Sequence, residues 1–432
     1  MKRQLTVIAL LTAASQLAAF FKLWFTARLF GVGSELDGYN LALVLPSLVS
    51  GVLLGFLQTG LFPVRARLNA RAPLQETERF ERAVLWSSFF LGILATMLIV
   101  VSSTWLTPKL GGSAPPSVIS ALAFALPMTA PLVALNMLGD CAGYLLAMRG
   151  RFAIAAGAPI VNGMVGGLLL ATWPEGGLLN LVLGTLLGLL AQVGICLYGL
   201  SKTGFIVFGT VAKWQQASRL MYDIARLGGW VLPGVIFSNL IVSLPPIWMT
   251  AYGEGAVSAF GYAYRLHSSA VQLLIMASST VILANFSDLV AQKNESAIRR
   301  LLYKAGWISL LLGLISTVAV WLLGDVILEH LFAGRFDAAA ATRVATHWLW
   351  LTAGLGFAIL GNVFAKLWQA RAKPKLMSIF AFLSLLTMAT TFWLIRNLLG
   401  EFALGAALSV SSITVVFLGV QYLKQPIREN RY

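Results

Sequence analysis

The sequence predicts an all-α polytopic membrane protein, and three observations support this class. Hydrophobic residues make up 58% of the 432 residues and charged residues only 11%, against about 45–50% and about 25% in soluble domains. The apolar residues form long runs, and about 20 of them in a helix cross the hydrocarbon core of about 30 Å. The strands of a β-barrel would be shorter and would alternate. Helices are therefore expected, because a helix satisfies its own backbone hydrogen bonds in lipid.

Twelve spans are predicted, in the order in which the apolar runs occur. They cover residues 5–30, 37–62, 83–107, 118–147, 153–173, 176–200, 222–251, 257–290, 301–323, 344–370, 376–397 and 401–423. Together they leave no stretch of the chain for a soluble domain.

The net charge of +15 follows the topology of the predicted spans. With the N-terminus placed in the cytoplasm, nearly all Lys and Arg residues of the connecting loops fall on the cytoplasmic side. The cations of the outer loops are Lys109, Arg335, Arg343 and Arg396. The positive-inside rule therefore places both termini in the cytoplasm. A nucleic-acid partner is not expected, because the basic residues are spread over many loops.

The twelve spans divide into two halves. Residues 1–201 form a predicted N-lobe of six spans, residues 202–221 a cytoplasmic interfacial linker, and residues 222–432 a C-lobe of six spans. DGYNLALVLPSL (37–48) matches SAFGYAYRLHSS (258–269) at several positions. Because six is even, both copies enter the membrane in the same orientation, which predicts a parallel pseudo-two-fold repeat with substrate at its interface.

Two cations lie deep in the predicted spans. Lys22 and Arg265 are each about 12 Å below the outer surface, at about 1.5 Å per residue. Ionisable groups at this depth cost several kcal/mol and usually face a cavity or a partner. Since one cation comes from each half, they predict a positive central chamber that binds substrate. Arg28 is a further substrate-binding candidate near a span end, with snorkelling to the interface as the competing interpretation.

Two carboxylates are candidates for gating or for ion coupling. Asp37 lies where the second span begins, and Asp140 lies inside the fourth. Asp140 could act as a counter-charge, as a protonated acid, as an ion-coupling group, or as a structural hydrogen-bonding group.

Prolines inside spans predict bends that can act as hinges. Pro46 lies in the second span, and Pro245 and Pro246 lie in the seventh. Each removes a backbone N–H and leaves a carbonyl that neighbours or water must satisfy. These residues favour a protein whose halves rock over one with a rigid pore.

The run ARLFGVGSELDGYNLALVLPSL (27–48), followed by GLFPVRARL (60–68), resembles the start of the MurJ (MviN) lipid II flippase family. The family has an Ala-Arg-x-Phe-Gly turn, an Asp that opens the second span, and a buried Pro in this order. Residues 262–294, 330–345 and 366–375 resemble later parts of the same family.

The resemblance implies two six-helix lobes in a V around a central cavity. It also implies an activity, the transfer of a polyprenyl-diphosphate-linked saccharide from the inner to the outer leaflet. Arg265 matches a substrate-binding Arg of the family, and Lys22 falls where the family has an Arg. Arg28 and Asp37 match the motif at the outer mouth.

The sequence also departs from the family's pattern. Gln16, Lys22 and Leu23 replace an Arg and an Arg-Asp pair in the first span, and the residues after Pro46 lack an Arg and a Glu-Gly. The saccharide thus stays open between lipid II and a repeat unit of an exopolysaccharide, capsule or O-antigen. The expected setting is the bacterial cytoplasmic membrane, with membrane lipids around a monomer. No cofactor is expected, and Na⁺, H⁺ or the membrane potential drives the cycle.

Two other functions compete with the flippase. A cation-coupled multidrug exporter of the same superfamily would need carboxylates in its chamber, whereas the deep charges here are mainly basic. A membrane-embedded ligase or polymerase would need an outer acid/base pair, for which the segment DVILEHLFAGRFD (325–337) offers only a short connector. A transporter and not an enzyme is therefore predicted.

Overall fold

The computed structural model describes residues 2–71, 73–211, 214–229, 231–371 and 373–424, and throughout these ranges the regular secondary structure is helical. The first helices are α1 (Lys2–Phe30), α2 (Ser34–Ala42), α3 (Val44–Arg71), α4 (Leu74–Gly111), α5 (Pro116–Thr129), α6 (Leu132–Met148), α7 (Phe152–Thr172) and α8 (Gly177–Ser201). The remaining helices are α9 (Trp214–Gly229), α10 (Leu232–Met249), α11 (Ala256–Ala291), α12 (Glu295–Phe332), α13 (Ala338–Thr352), α14 (Leu355–Ala370), α15 (Pro374–Leu399) and α16 (Ala403–Lys424).

Within the described ranges, eight helical segments are long and apolar enough to cross a membrane, or up to ten when each of two bent pairs is one span. One of the eight, Lys375–Leu423, contains both α15 and α16. At about 1.5 Å per residue, each of these two helices is long enough to cross by itself. The multi-pass membrane protein is therefore established, while the total of twelve spans stays a prediction.

Two spans are bent at short breaks. The pair α5 and α6 bends by 44° around Ala130 and Pro131, and the pair α13 and α14 bends by 43° around Ala353 and Gly354. Pro131 lacks the N–H that would continue the helix. At Gly354 a Cβ atom would lie 2.5 Å from the backbone of Ser409, so a side chain there would collide with α16.

The structure corrects the prediction around the linker. The predicted span 222–251 is divided into α9 and α10, and the spanning helix begins only at Leu232. Residues 202–211, which follow the end of α8, contain no helix. The helix α9 is amphipathic: Arg219, Asp223 and Arg226 are exposed, while Ile224 is buried against Gly60 of α3. Polar residues on one face of α9 interrupt the apolar run, which is why a spanning helix cannot continue through it. Lys213, Arg428 and Arg431, which contribute to the predicted topology, lie outside the described residues.

Contacts divide the chain into two compact units. The first unit consists of Met1–Gly261 with Glu329–Ala340, and the second of Tyr262–Leu328 with Ala341–Tyr432. The first has a core that includes Phe80, Cys141 and Phe205. The second has a core around Phe286 and Trp368. The predicted boundaries at 201 and 222 and the pseudo-two-fold repeat stay predictions.

The segment Glu329–Ala340 belongs to the first unit because it packs on the C-terminal end of α1. The indole N–H of Trp24 donates to the carbonyl oxygen of Leu331 at 2.6 Å. The backbone N–H of Arg335 donates to the carbonyl oxygen of Arg28 at 3.1 Å. These contacts tie the end of α12 to the first helix of the chain.

Candidate functional site

Lys22 lies where α1, α7 and α8 pack closely in the first unit. A Cβ atom on Gly163 would lie 2.5 Å from the backbone of Ala18, and one on Gly166 would lie 2.8 Å from Cδ of Lys22. Small residues let helix backbones approach in this way. Close packing is thus the role of the glycines in GMVGG (163–167), and the alkyl chain of Lys22 lies directly on α7.

The ammonium of Lys22 is held by a hydroxyl of the neighbouring helix α8. Its Nζ donates to Oγ1 of Thr185 at 2.7 Å, and the hydroxyl of Tyr39 lies 2.6 Å from the same oxygen. Thr185 Oγ1 itself donates to the carbonyl oxygen of Leu181 at 2.8 Å. Because a hydroxyl has one proton, Tyr39 must then donate to Thr185. These three residues, the Lys22 cluster, join α1, α2 and α8 around one cation.

Arg28 lies on the surface in the last turn of α1. Its side chain is exposed, and its guanidinium carbon lies 5.3 Å from the ring centroid of Trp24. A cation stacked on an aromatic ring at a helix end is typical of the membrane interface. This position favours snorkelling over deep substrate binding, and the binding role of Arg28 stays a prediction.

Asp37 caps the start of α11. Its carboxylate is fully buried, with Oδ2 accepting from the N–H of Gly255 and Oδ1 from the N–H of Ser258, each at 2.6 Å. The first N–H groups of a helix have no partner within the helix, and a negative charge there is favourable. Asp37 therefore fastens α2 to α11 within the first unit. A gating role is compatible with this contact and stays a prediction.

Pro46 lies near the junction of two helices, since α2 ends at Ala42 and α3 begins at Val44. Because proline has no N–H, the carbonyl oxygen of Ala42, four residues earlier, loses its helical partner. The hydroxyl of Thr129 in α5 donates to that oxygen at 3.2 Å. By contrast, α10 continues through Pro245 and Pro246 to Met249. The three hinge roles stay predictions. Of these prolines, Pro46 lies beside the interruption between α2 and α3, although Ser34–Ala70 still forms one candidate span.

Asp140 lies on the face of α6 that meets α3. On the same face, Nδ2 of Asn136 lies 3.5 Å from Oγ of Ser50, and the ring of Tyr144 packs on Phe62 at a centroid distance of 6.0 Å. Asp140 itself is half-buried. No hydrogen bond or ion pair to its carboxylate occurs among the residues that the structure describes. The structural hydrogen bond considered for Asp140 is thus not found there, and its coupling role stays a prediction.

Arg265 belongs to the second unit, whereas Lys22 belongs to the first. It is the tenth residue of α11 and its side chain is half-buried. Its backbone oxygen accepts a hydrogen bond from Oγ of Ser268 at 3.1 Å. The convergence of the two cations on one chamber stays a prediction.

The segment 325–337, which the sequence predicts as a short connector, begins within α12, because that helix extends to Phe332. Oδ1 of Asp337 accepts from the N–H of Ala340 at 2.7 Å, which makes Asp337 the cap of α13. Oδ1 of Asp325 accepts from the N–H of Val326 at 2.8 Å. Both carboxylates are therefore engaged with the backbone.

Sequence reasoning missed a set of paired charges at the other end of the first unit. We call it the inner ion cluster, because the predicted topology places it on the cytoplasmic side, and it consists of Arg65, Glu78, Glu81, Arg82 and Arg149. Glu81 is fully buried and accepts from Nε of Arg65 at 2.8 Å and from Nη2 of Arg149. The sequence placed these arginines on the cytoplasmic side by topology alone. A signal was present in the two glutamates at 78 and 81, which lie one helical turn apart and so share a face of α4.

The same cluster holds the non-helical segment 203–210. Arg82 donates from Nε to the carbonyl oxygen of Thr210 at 2.8 Å, and Arg149 donates from Nη1 to Oγ1 of Thr203 at 3.3 Å. The ring of Phe205, which is buried, lies 4.6 Å from the guanidinium carbon of Arg149. The cluster therefore stabilises the start of the chain segment that follows α8.

A model of one protein family, described as lipid II flippase MurJ, matches residues 26–430 of this chain. Among curated proteins, the probable lipid II flippase MurJ of Rhizobium meliloti (strain 1021) is 24% identical over 386 residues, which is 86% of this chain and 71% of the relative. The match to the family extends from the end of α1 through α16.

Two solved structures show the fold. A lipid II flippase MurJ in an inward closed conformation matches with a TM-score of 0.81 at 18% identity, over 98% of this chain and 88% of that chain. An inward-facing multidrug resistance transporter of the MATE family matches with a TM-score of 0.78 at 14% identity, over 96% and 97%. The predicted all-α membrane fold is confirmed, while the six-helix lobes and the V-shaped cavity stay predictions.

Proposed function

Because this chain belongs to the MurJ lipid II flippase family, we propose that it moves a polyprenyl-diphosphate-linked saccharide from the inner to the outer leaflet of the bacterial cytoplasmic membrane. Lipid II is the first substrate to test, since the family and the curated relative carry its name. A repeat unit of a surface polysaccharide is the other. Flippases are transporters, in agreement with the prediction that the chain is not an enzyme. Both termini are placed in the cytoplasm by the distribution of Lys and Arg.

The observation that carries this proposal is the Lys22 cluster. A diphosphate is an anion with many acceptor oxygens, and a hydrogen bond between it and an ammonium is charge-assisted. Such attraction is stronger where water is scarce than at the surface. Thr185 orients the Nζ atom of Lys22, so the cation does not have to be ordered when the headgroup arrives. Arg265 is the substrate-binding cation proposed for the second unit.

The transport cycle uses alternating access. Pro46 is the first hinge, because it removes a helical hydrogen bond at the junction of α2 and α3. Pro245 and Pro246 provide the second hinge. Asp37 gates the outer end through its contact with the start of α11. Asp140 couples the cycle to H⁺ or Na⁺, or the membrane potential acts on the cations directly. The chain works as a monomer with no resident cofactor.

Reconstitution in liposomes tests the proposal. Purified protein should translocate a fluorescent polyprenyl diphosphate disaccharide from one leaflet to the other. Lys22→Met and Arg265→Ala should each slow translocation at least tenfold, because a hydrogen bond to a charged group is worth about 1.5–3 kcal/mol. Lys22→Arg should retain most of the rate.

A cation elsewhere on the chain provides the control. The ammonium of Lys366 lies 3.5 Å from Oε1 of Gln369 on its own helix, near the end of α14. Lys366→Met should keep the wild-type rate. Wild-type rates in both Lys22→Met and Arg265→Ala would remove the basis of the proposed function.

A multidrug exporter is the second candidate, favoured by the fold match to the MATE-family transporter. It predicts that loss of the protein changes susceptibility to cationic drugs. An unchanged susceptibility profile, combined with lipid translocation in liposomes, would leave the flippase as the function.

A further inference from the structure

Two amide side chains meet in the middle of the membrane within the first unit. Nδ2 of Asn162 in α7 donates to Oε1 of Gln192 in α8 at 3.0 Å. Asn162 is the central residue of α7, so it lies about 15 Å from either end of the helix. Uncharged amides at this depth need polar partners, because hydrocarbon offers none.

Both amides lie on the side of their helix that faces away from lipid. The exposed apolar stripe of α8 contains Leu187, Leu190 and Tyr198. Successive residues of a helix are about 100° apart, so Gln192 is about 200° from Leu190. Asn162 is likewise two residues from the exposed Met164 on α7. Each amide is half-buried, so part of its surface stays accessible on this side of the helix, where water or a ligand can reach it.

The amide pair shares a face with the Lys22 cluster. Gln192 follows Thr185 by seven residues of α8, which is about two turns and about 10 Å along the axis. Thr185 is the residue that holds the ammonium of Lys22. A cation for phosphate and a pair of amides are thus aligned along one surface. The spacing suits a diphosphate and the sugar attached to it.

The hydrogen-bonding capacity of the pair selects the chemistry of the ligand. Their mutual bond uses one donor of Asn162 and one acceptor site of Gln192, and an amide has two N–H donors and an acceptor oxygen. Donors and acceptors side by side without charge match the hydroxyl groups of a sugar. We propose that Asn162 and Gln192 bind the saccharide of the lipid-linked substrate while Lys22 binds its diphosphate. This inference rests on the proposed function and adds the residues that recognise the sugar.

The competing explanation is that the amide pair only joins α7 to α8, as interhelical hydrogen bonds do in membranes. Asn180 offers a matched control, because it is an amide with that structural role on the same two helices. It is fully buried, and its Nδ2 donates to the carbonyl oxygens of Leu169, at 3.1 Å, and of Trp173.

The experiment compares two labelled lipids in liposomes and in detergent binding assays: polyprenyl diphosphate with a disaccharide, and polyprenyl diphosphate without sugar. Gln192→Met should weaken binding of the sugar-bearing lipid about tenfold and leave the sugar-free lipid unchanged. Lys22→Met should weaken binding of both lipids. Asn180→Leu should lower the thermal stability of the protein and leave the affinity ratio of the two lipids at the wild-type value.

The outcomes separate the inference from the proposed function. Equal losses for both lipids in Gln192→Met would overturn the sugar site and make the amide pair structural. Failure of the wild-type protein to bind either lipid would instead overturn the proposed function. If Gln192→Met does not fold, Asn162→Ala removes the other half of the pair, and the same change in the ratio of the two affinities is required of it.

Discussion

Within the first unit, the cations of the inner ion cluster and the cation of the Lys22 cluster have different kinds of hydrogen-bond partner. In the inner ion cluster, Arg65 and Arg149 converge on the buried carboxylate of Glu81. In the Lys22 cluster, the ammonium donates to the neutral hydroxyl of Thr185, which a phenol also approaches. A buried carboxylate therefore fixes the arginines of the inner ion cluster, and a hydroxyl orients the ammonium of the Lys22 cluster.

The difference separates charges that stabilise the fold from charges that serve transport. A buried ion pair stabilises a fold only as long as both partners remain, because an uncompensated buried charge is costly. A hydroxyl orients an ammonium without adding a charge of its own, and an ammonium forms strong hydrogen bonds with anions. Substitutions in the inner ion cluster should therefore alter stability, and substitutions in the Lys22 cluster should alter transport.

Glu81→Gln is expected to have the largest effect on stability. The substitution leaves two arginines around a neutral amide, and breaking a buried pair in this way costs about 3–5 kcal/mol. Thermal unfolding in detergent should show a much lower midpoint than wild type.

Glu78→Gln is the control for that change. Its carboxylate is partly exposed and lies 3.5 Å from Arg149 and 3.9 Å from Arg82, so its loss should cost less than about 1 kcal/mol. Equal midpoints for the two variants would show that Glu81 does not organise the cluster.

Asp37→Asn should have an intermediate effect. An Asn side chain has one acceptor oxygen where the two N–H groups of Gly255 and Ser258 require two, and one buried donor left unsatisfied costs about 1–3 kcal/mol. Thermal unfolding measures the loss, and hydrogen exchange should become faster at the start of α11. Glu254→Gln is the control, because Glu254 is exposed and accepts from the N–H of Ser34 at 3.2 Å. Unchanged exchange at Gly255 and Ser258 in Asp37→Asn would argue against the cap.

The contrast between the clusters also explains what the sequence could predict. The helices were predictable because hydropathy over about 20 residues is a local property. The exception was α9, an amphipathic helix, part of which the prediction joined to the following span. The place of Lys22 along α1 was equally predictable, since it follows from counting residues along one helix, while its depth in the membrane stays a prediction.

Partners distant in the chain were not predictable. Asp37 caps a helix that begins more than two hundred residues later, and nothing near Asp37 in the sequence indicates that helix. Thr129 satisfies the carbonyl oxygen that Pro46 releases, but any donor on a neighbouring helix could have done so. The contacts of Glu81 were not predictable either, because hydropathy gives no information about which arginines surround a carboxylate. The role of a charged residue depends on its tertiary contacts, whereas its position along a predicted span is known from the sequence alone.

Asp140→Asn should have the smallest effect on stability, and it therefore tests whether Asp140 differs from the structural charges. Because the described residues provide no hydrogen bond or ion pair for this half-buried carboxylate, its neutralisation removes no stabilising contact and should not lower the free energy of unfolding. If Asp140 couples ions to transport, the variant should still translocate lipid but no longer respond to an imposed H⁺ or Na⁺ gradient. A response equal to that of wild type would assign coupling elsewhere. A loss of stability as large as that of Asp37→Asn would instead place Asp140 with the structural charges of the inner ion cluster.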